Sequence, residues 1–167
     1  MKIVETDGFE FHFTDALDAF VFDEKDSTKP TFHGAPMKGV DIVAEFANAY
    51  VYVEVKDYND PSIYAQQNKF NWLKDYLKYK FRDSYLYRHA EHKVDKPVRY
   101  ICLTTFDNAL NSLMQKSLKL ELPVGIVSPR WIQALALSCH VVNMDKWNEK
   151  FQKWPVTRVT PATPNRP

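Results

Sequence analysis

The sequence predicts one mixed α/β domain, and three observations carry that expectation. At 167 residues with 45% apolar and 14% aromatic content, the chain can bury one substantial core and gives little ground for two. Strand-like and helix-like apolar patterns mingle along its length instead of segregating into separate halves. Among them, residues 39–58 read as a β-hairpin, with Val51, Val53 and Val55 at every second position.

Taken in order, residues 3–13 place Asp7-Gly8 between short runs and then alternate Phe9, Phe11 and Phe13, which predicts an N-terminal strand or small hairpin. Thr14 can cap a helix over residues 15–24 whose first turn is acidic and whose apolar stripe is Leu17, Phe20 and Val21. Ser27, Pro30, Gly34 and Pro36 mark residues 26–38 as a loop. After the hairpin, Asp60-Pro61 opens a long helix reaching at least Arg82. Proline suits the first helical position, and Ile63, Gln67, Phe70, Leu73, Leu77 and Phe81 recur at helical spacing.

Residues 97–105 read as a strand around Tyr100-Ile101-Cys102-Leu103, and Asp107 caps a helix to about Leu120. A short strand is expected over residues 123–127, a helix from Ser128-Pro129 through Cys139, and a last helix over residues 145–154. The domain would therefore span residues 1–154, followed by a Pro- and Thr-rich tail, 155–167, disordered or draped on the surface.

Composition narrows the function classes. The N-terminus lacks the apolar run of a signal peptide, and no segment approaches the roughly eighteen consecutive apolar residues of a membrane span, so a soluble cytoplasmic protein with no membrane partner is expected. Cys102 and Cys139 lie in apolar segments without metal-ligand spacing and read as small core residues. The net charge of +1 conceals an asymmetry: residues 1–60 hold thirteen acids and five bases, residues 61–167 eight acids and seventeen bases. An acidic region able to hold a cation, followed by a basic one able to meet a polyanion, suits a metal-dependent enzyme acting on nucleic acid, and equally suits two halves that attract each other.

The hairpin carries the chemistry. Tyr50, Tyr52, Glu54 and Lys56 share one face and Val51, Val53 and Val55 the other, which is expected to be the core face. With Ala47-Asn48 as a two-residue turn, position 45 falls opposite 50, 43 opposite 52, and Asp41 opposite Glu54. Two directly opposed carboxylates repel unless a positive charge sits between or beside them, and a divalent cation satisfies both. Mg²⁺ is commonly held by one or two carboxylates with water and a phosphate, and Lys56 would place an ammonium beside it. The plainer alternative is a solvated same-face ion pair between Glu54 and Lys56.

Asp41 in Gly39-Val40-Asp41, followed after a gap by Glu54-Val55-Lys56, resembles the core signature of the PD-(D/E)xK nuclease superfamily, and the order of elements over residues 14–105 is similar too. The resemblance implies a restriction-endonuclease-like core, a mixed central sheet flanked by helices, here with additional C-terminal helices. It implies Asp41, Glu54 and the main-chain carbonyl of Val55 as ligands of Mg²⁺ or Mn²⁺, and Lys56 as the catalytic lysine. It also implies an acid from the first helix, for which Asp15, Asp18, Asp23 and Glu24 are available; Glu24, continuing the Leu17, Phe20, Val21 stripe, is the preferred one. A subgroup with Gln and then Tyr four residues later is not matched, because Gln66 is followed by Phe70 and Gln67 by Asn71.

On the long helix Lys74, Lys78 and Arg82 recur at i, i+4, i+8 with Lys80, Arg88 and several tyrosines nearby, a basic stripe able to follow a phosphate backbone. Gln67 is expected on the helix's apolar stripe, either as buried polar support for the site or as a partly exposed filler. His89 and His92 have helical ligand spacing but no completing acid or thiolate. The expected activity is metal-dependent phosphodiester hydrolysis, and cutting both strands of a duplex would call for a homodimer. The alternative is a non-catalytic nucleic-acid-binding or protein-assembly module on the same core, for example a defence or immunity accessory.

Overall fold

A computed structural model describes residues 1–159. Two antiparallel strands open the chain, β1 (Lys2–Thr6) and β2 (Phe9–Phe13), joined through Asp7 and Gly8, both at positive φ. Glycine adopts that conformation without steric cost, and Asp is among the residues that tolerate it. The expected N-terminal hairpin is therefore present. Next come β3 (Asp18–Val21), β4 (Ile42–Glu45) and β5 (Tyr50–Lys56), then the helix α1 (Gln67–Ala90), β6 (Val98–Thr104), α2 (Asn108–Glu121), β7 (Ala136–Val142), α3 (Met144–Lys150) and β8 (Val156–Arg158).

The architecture is mixed α/β. Strands β3-β4-β5-β6-β7 form a five-stranded sheet in that order, with β3, β4 and β5 antiparallel and β5, β6 and β7 parallel. Helices α1 and α2, the crossovers between the parallel strands, lie on one face, where Phe70, Leu73, Leu77, Phe81, Met114 and Leu118 pack on Tyr50, Tyr52, Tyr100 and Cys102. A second, three-stranded sheet, β1-β2-β8, covers the other face together with α3, and Phe11, Phe13, Trp147 and Val156 pack there on Val51, Val53 and Val55. The valine face is thus core as expected, but so is the tyrosine face. A central strand with parallel crossovers is covered on both sides.

Three segments depart from the reading of the sequence. The expected helix over residues 15–24 is β3 and an irregular continuation, because Ala19, Phe20 and Val21 pair with Ala44, Val43 and Ile42 and that ladder outweighs the Thr14 cap signal. The expected helix through Cys139 is a turn region followed by β7, whose Leu-Ser-Cys-His-Val-Val run pairs in parallel with β6. Residues 156–158, assigned to the tail, form β8 with Val156 fully buried; residues 160–167 lie outside the described part. Elsewhere the differences are of bounds: Pro61–Ala65 is a 3-10 turn, and α1 begins only after the extended Gln66. The expected strand at residues 123–127 is a single bridge from Val124 to Ala136. Asp107 caps α2 as expected, accepting from the Leu110 N–H at 2.8 Å. Cys102 and Cys139 are buried free thiols, and no described helix is long and apolar enough to cross a membrane.

Candidate functional site

The hairpin register is the one the turn dictates: Glu45 pairs with Tyr50 and Val43 with Tyr52. Strand β4 starts at Ile42, so Asp41 stands just outside the ladder, on the side of β5 where Glu54 and Lys56 end the strand. Its Oδ2 accepts from the Val55 N–H at 2.6 Å. A residue's N–H and C=O point to the same flank of a strand, so the Val55 carbonyl also looks toward Asp41.

Helix α1 sets the position of Asp41 through the backbone ahead of it. Lys80, Asp83 and Ser84 lie within one helical turn and grip the backbone of residues 38–40: Lys80 Nζ and Ser84 Oγ hold the two ends of the Gly39–Val40 peptide, with Lys80 donating to Gly39 O at 2.5 Å and Ser84 Oγ accepting from Val40 N at 2.8 Å, and Asp83 Oδ2 accepts from Lys38 N at 2.9 Å. A side chain at Gly39 would crowd two rings, since a Cβ there would lie 3.0 Å from the His33 ring and 3.3 Å from Phe22. On its other side Asp41 O accepts from Phe22 N at 2.8 Å, which brings the neighbouring Asp23 alongside.

Charges converge at this point. Glu54 is fully buried; its Oε1 lies 2.5 Å from Lys56 Nζ and 3.3 Å from Lys80 Nζ, while its Oε2 has no hydrogen-bond donor among the described residues. Lys80 also approaches Asp23 Oδ2 at 3.7 Å. Burial, reinforced by the Glu54 charge, pushes the Asp41 carboxyl up to about 8, against the opposing pull of Lys56 and Lys80. For Lys56, burial acts to lower the pKa, but Glu54 and Asp41 outweigh it and hold the ammonium above its ordinary range; the same balance raises Lys80. The Tyr76 ring lies beside the cluster, with Lys38, Lys56 and Lys80 Nζ at 4.6, 4.9 and 5.5 Å from its centroid.

The structure therefore brings Asp41, Glu54, Val55 and Lys56 together and leaves other candidates out. Glu24 points elsewhere: Lys29 Nζ lies 2.6 Å from its Oε2 and the Asp26 N–H donates to its Oε1 at 2.9 Å. Residues 18–21 form a strand, not a helix, and of the four candidate acids it is Asp23 that meets Lys80. Two members of the basic stripe are turned to packing instead of solvent. Lys74 and Lys78 both bind the Glu121 carboxylate, at 2.5 and 2.6 Å, and Arg82 donates weakly to Glu121 O, so these residues dock α1 on α2. Gln67 is exposed and bonded to Asn71 rather than buried. Sequence does not single out Lys80 or Tyr76 beside the cluster, because a lysine within a basic helix reads as solvated; the signal for Lys80 is its i, i+3 and i, i+7 spacing from Leu77 and Leu73 and its i, i+4 spacing to Ser84, all on the buried side.

An unsatisfied, fully buried carboxylate oxygen near a second carboxyl group is a hard-oxygen donor set of the kind that could hold Mg²⁺ or Mn²⁺, with Asp41, Glu54 and the Val55 carbonyl as the groups available. No group of three or more His, Cys, Asp or Glu residues that could hold a metal occurs among the described residues, so the side chains would supply two carboxylates beside that carbonyl. No protein-family model, curated protein or solved structure matches this chain.

Proposed function

We propose that the chain is a metal-dependent nuclease that hydrolyses phosphodiester bonds of nucleic acid at the Asp41, Glu54, Lys56 cluster. The observation that carries the reading is the fully buried Glu54 with one bare oxygen, paired with Lys56 and near enough for its charge to act on the Asp41 carboxyl that the Val55 N–H holds in place. A buried charge of this kind is costly as mere structure and serves where charge must be concentrated. The mixed sheet, with Asp41 ahead of its second strand and Glu-x-Lys ending the central one, also accords with a restriction-endonuclease-like core, although a strand occupies the place of the first helix.

Asp41, Glu54 and the Val55 carbonyl would hold Mg²⁺ or Mn²⁺, which supplies Lewis-acid charge for a phosphate and makes water more acidic. Lys56, held in its charged form, is a donor and not a base: it orients the attacking oxygen and offsets the charge that grows on the phosphate. Lys80 keeps Gly39, and through it Asp41, in position while sharing the Glu54 charge.

The test is cleavage of plasmid and single-stranded substrates with Mg²⁺, Mn²⁺ or EDTA. Cutting is expected with either metal and not with EDTA; Lys56→Ala should lower it by about 10²–10³-fold and Asp41→Ala to background. Metal-dependent cutting that survives both substitutions would falsify the assignment. A second reading, a non-catalytic nucleic-acid-binding or assembly module, draws on the presence of two ammoniums at Glu54, which neutralise the carboxylates without any ion. Retention of nucleic acid with no cutting under any of these conditions supports that reading instead.

A further inference from the structure

Helix α1 carries an aromatic surface that core packing does not account for. Trp72 and Tyr76, four residues apart, are stacked with ring centroids 5.3 Å apart and planes inclined by 20°. Tyr76 is half-buried, but Trp72 is 54% exposed, and Tyr79 at 46% exposed continues the same side of the helix. An indole left more than half in water is a large apolar area without a partner in the chain. What sets this surface apart from other exposed apolar residues, such as Leu120 or Ile132, is its neighbour: the Tyr76 ring touches the ammoniums of Lys38, Lys56 and Lys80. Lys38 is exposed and makes no ion pair among the described residues, so one cation at the ring is free for an outside anion.

We propose that Trp72 and Tyr76 form a stacking platform for an unpaired base at the mouth of the carboxylate and lysine cluster, which makes single-stranded nucleic acid the preferred substrate. The inference rests on the reading that the cluster receives a phosphodiester. A flexible strand can lay a base on the indole while its adjoining phosphate meets Lys38 and Lys56, whereas the bases of an intact duplex are already stacked on each other and present no free face. The charge beside the platform selects a polyanion over an apolar peptide or a second copy of the chain. The basic stripe is less available, because Lys74 and Lys78 are bound to Glu121.

The experiment measures affinity of the whole protein for a fluorescent oligothymidine and for a blunt duplex of equal length, first in EDTA and again in Ca²⁺, with cleavage in Mn²⁺ recorded separately. The single strand should bind more tightly than the duplex; Trp72→Ala should weaken its binding about tenfold, Trp72→Phe much less, and neither should move duplex binding or the circular dichroism. Equal weakening for both substrates, tighter binding of the duplex, or no binding of the single strand in either buffer overturns the proposal. Trp72-dependent binding without cleavage leaves the platform standing and removes the nuclease reading. Cleavage with unaltered Trp72→Ala affinity does the reverse.

Discussion

The two faces of β5 are built by opposite rules. On one, Val51, Val53 and Val55 meet the β1-β2-β8 sheet and α3 in an aliphatic and aromatic layer whose stability comes from area and fit. On the other, Tyr50 and Tyr52 begin as core, and the strand then ends in Glu54 and Lys56, where each group is tolerated only because a particular partner reaches it. One strand thus separates a layer that holds the fold from a cluster that strains it. The separation needs no special backbone, since alternation sends odd and even positions to different layers.

The largest effect expected from breaking this comparison lies on the apolar side. Trp147 is fully buried, edges onto Phe11 at 5.3 Å and donates its indole N–H to Trp154 O. Trp147→Ala should cost about 3–5 kcal/mol in urea unfolding. Activity per folded molecule should be unchanged, because no group of the cluster is touched. Next in size, Lys80→Met removes one of the two cations at buried Glu54 and should cost about 3 kcal/mol near neutral pH. Adding Glu54→Gln should restore most of that loss, since the buried charge goes too. A double-mutant cycle that shows simple additivity would remove Lys80 from the cluster's energetics.

The smallest effect is a slope with pH. With its folded pKa raised to about 8, Asp41 keeps a proton in the folded protein that it has lost in the unfolded chain, so it makes stability fall as pH rises through that range. Below about pH 6.5 this is offset by His140, whose pKa is lowered to about 4 by burial, then by Lys150, Lys119 and Arg99, and which therefore makes stability rise with pH in that window. The decline should accordingly show between pH 6.5 and 8 in EDTA, with a slope of at most ~1.4 kcal/mol per pH unit, and Asp41→Asn should flatten it. Persistence of the slope in that variant would place its origin elsewhere.

What the sequence makes legible follows from local rules. The two-residue turn at Ala47-Asn48 sets the hairpin register, and that register brings Asp41 to the end of β5, where the α1 contacts to residues 38–40 then fix it. Caps and periodicity likewise locate α1, β6 and α2 to within a few residues. What stays hidden depends on partners distant in the chain. Strand β7 reads as helix because Ser128-Pro129 looks like a helix start, and only the parallel ladder with β6 decides otherwise. Lys80 is indistinguishable by type from Lys78 two positions earlier. One is buried against Gly39 and Glu54 and the other is turned to Glu121, and nothing in composition separates them.

Strand β8 has a consequence for synthesis. It pairs Phe9 with Arg158 and Phe11 with Val156, while His12 N donates to Pro155 O, so the N-terminal hairpin gains its third strand from residues near the other end of the described chain. On the ribosome, Phe11 and the valines beneath it remain incompletely sheltered until residue 158 has left the exit tunnel, long after the hairpin itself can form. The nascent chain is most open to chaperones, and to association with its own copies, during that interval.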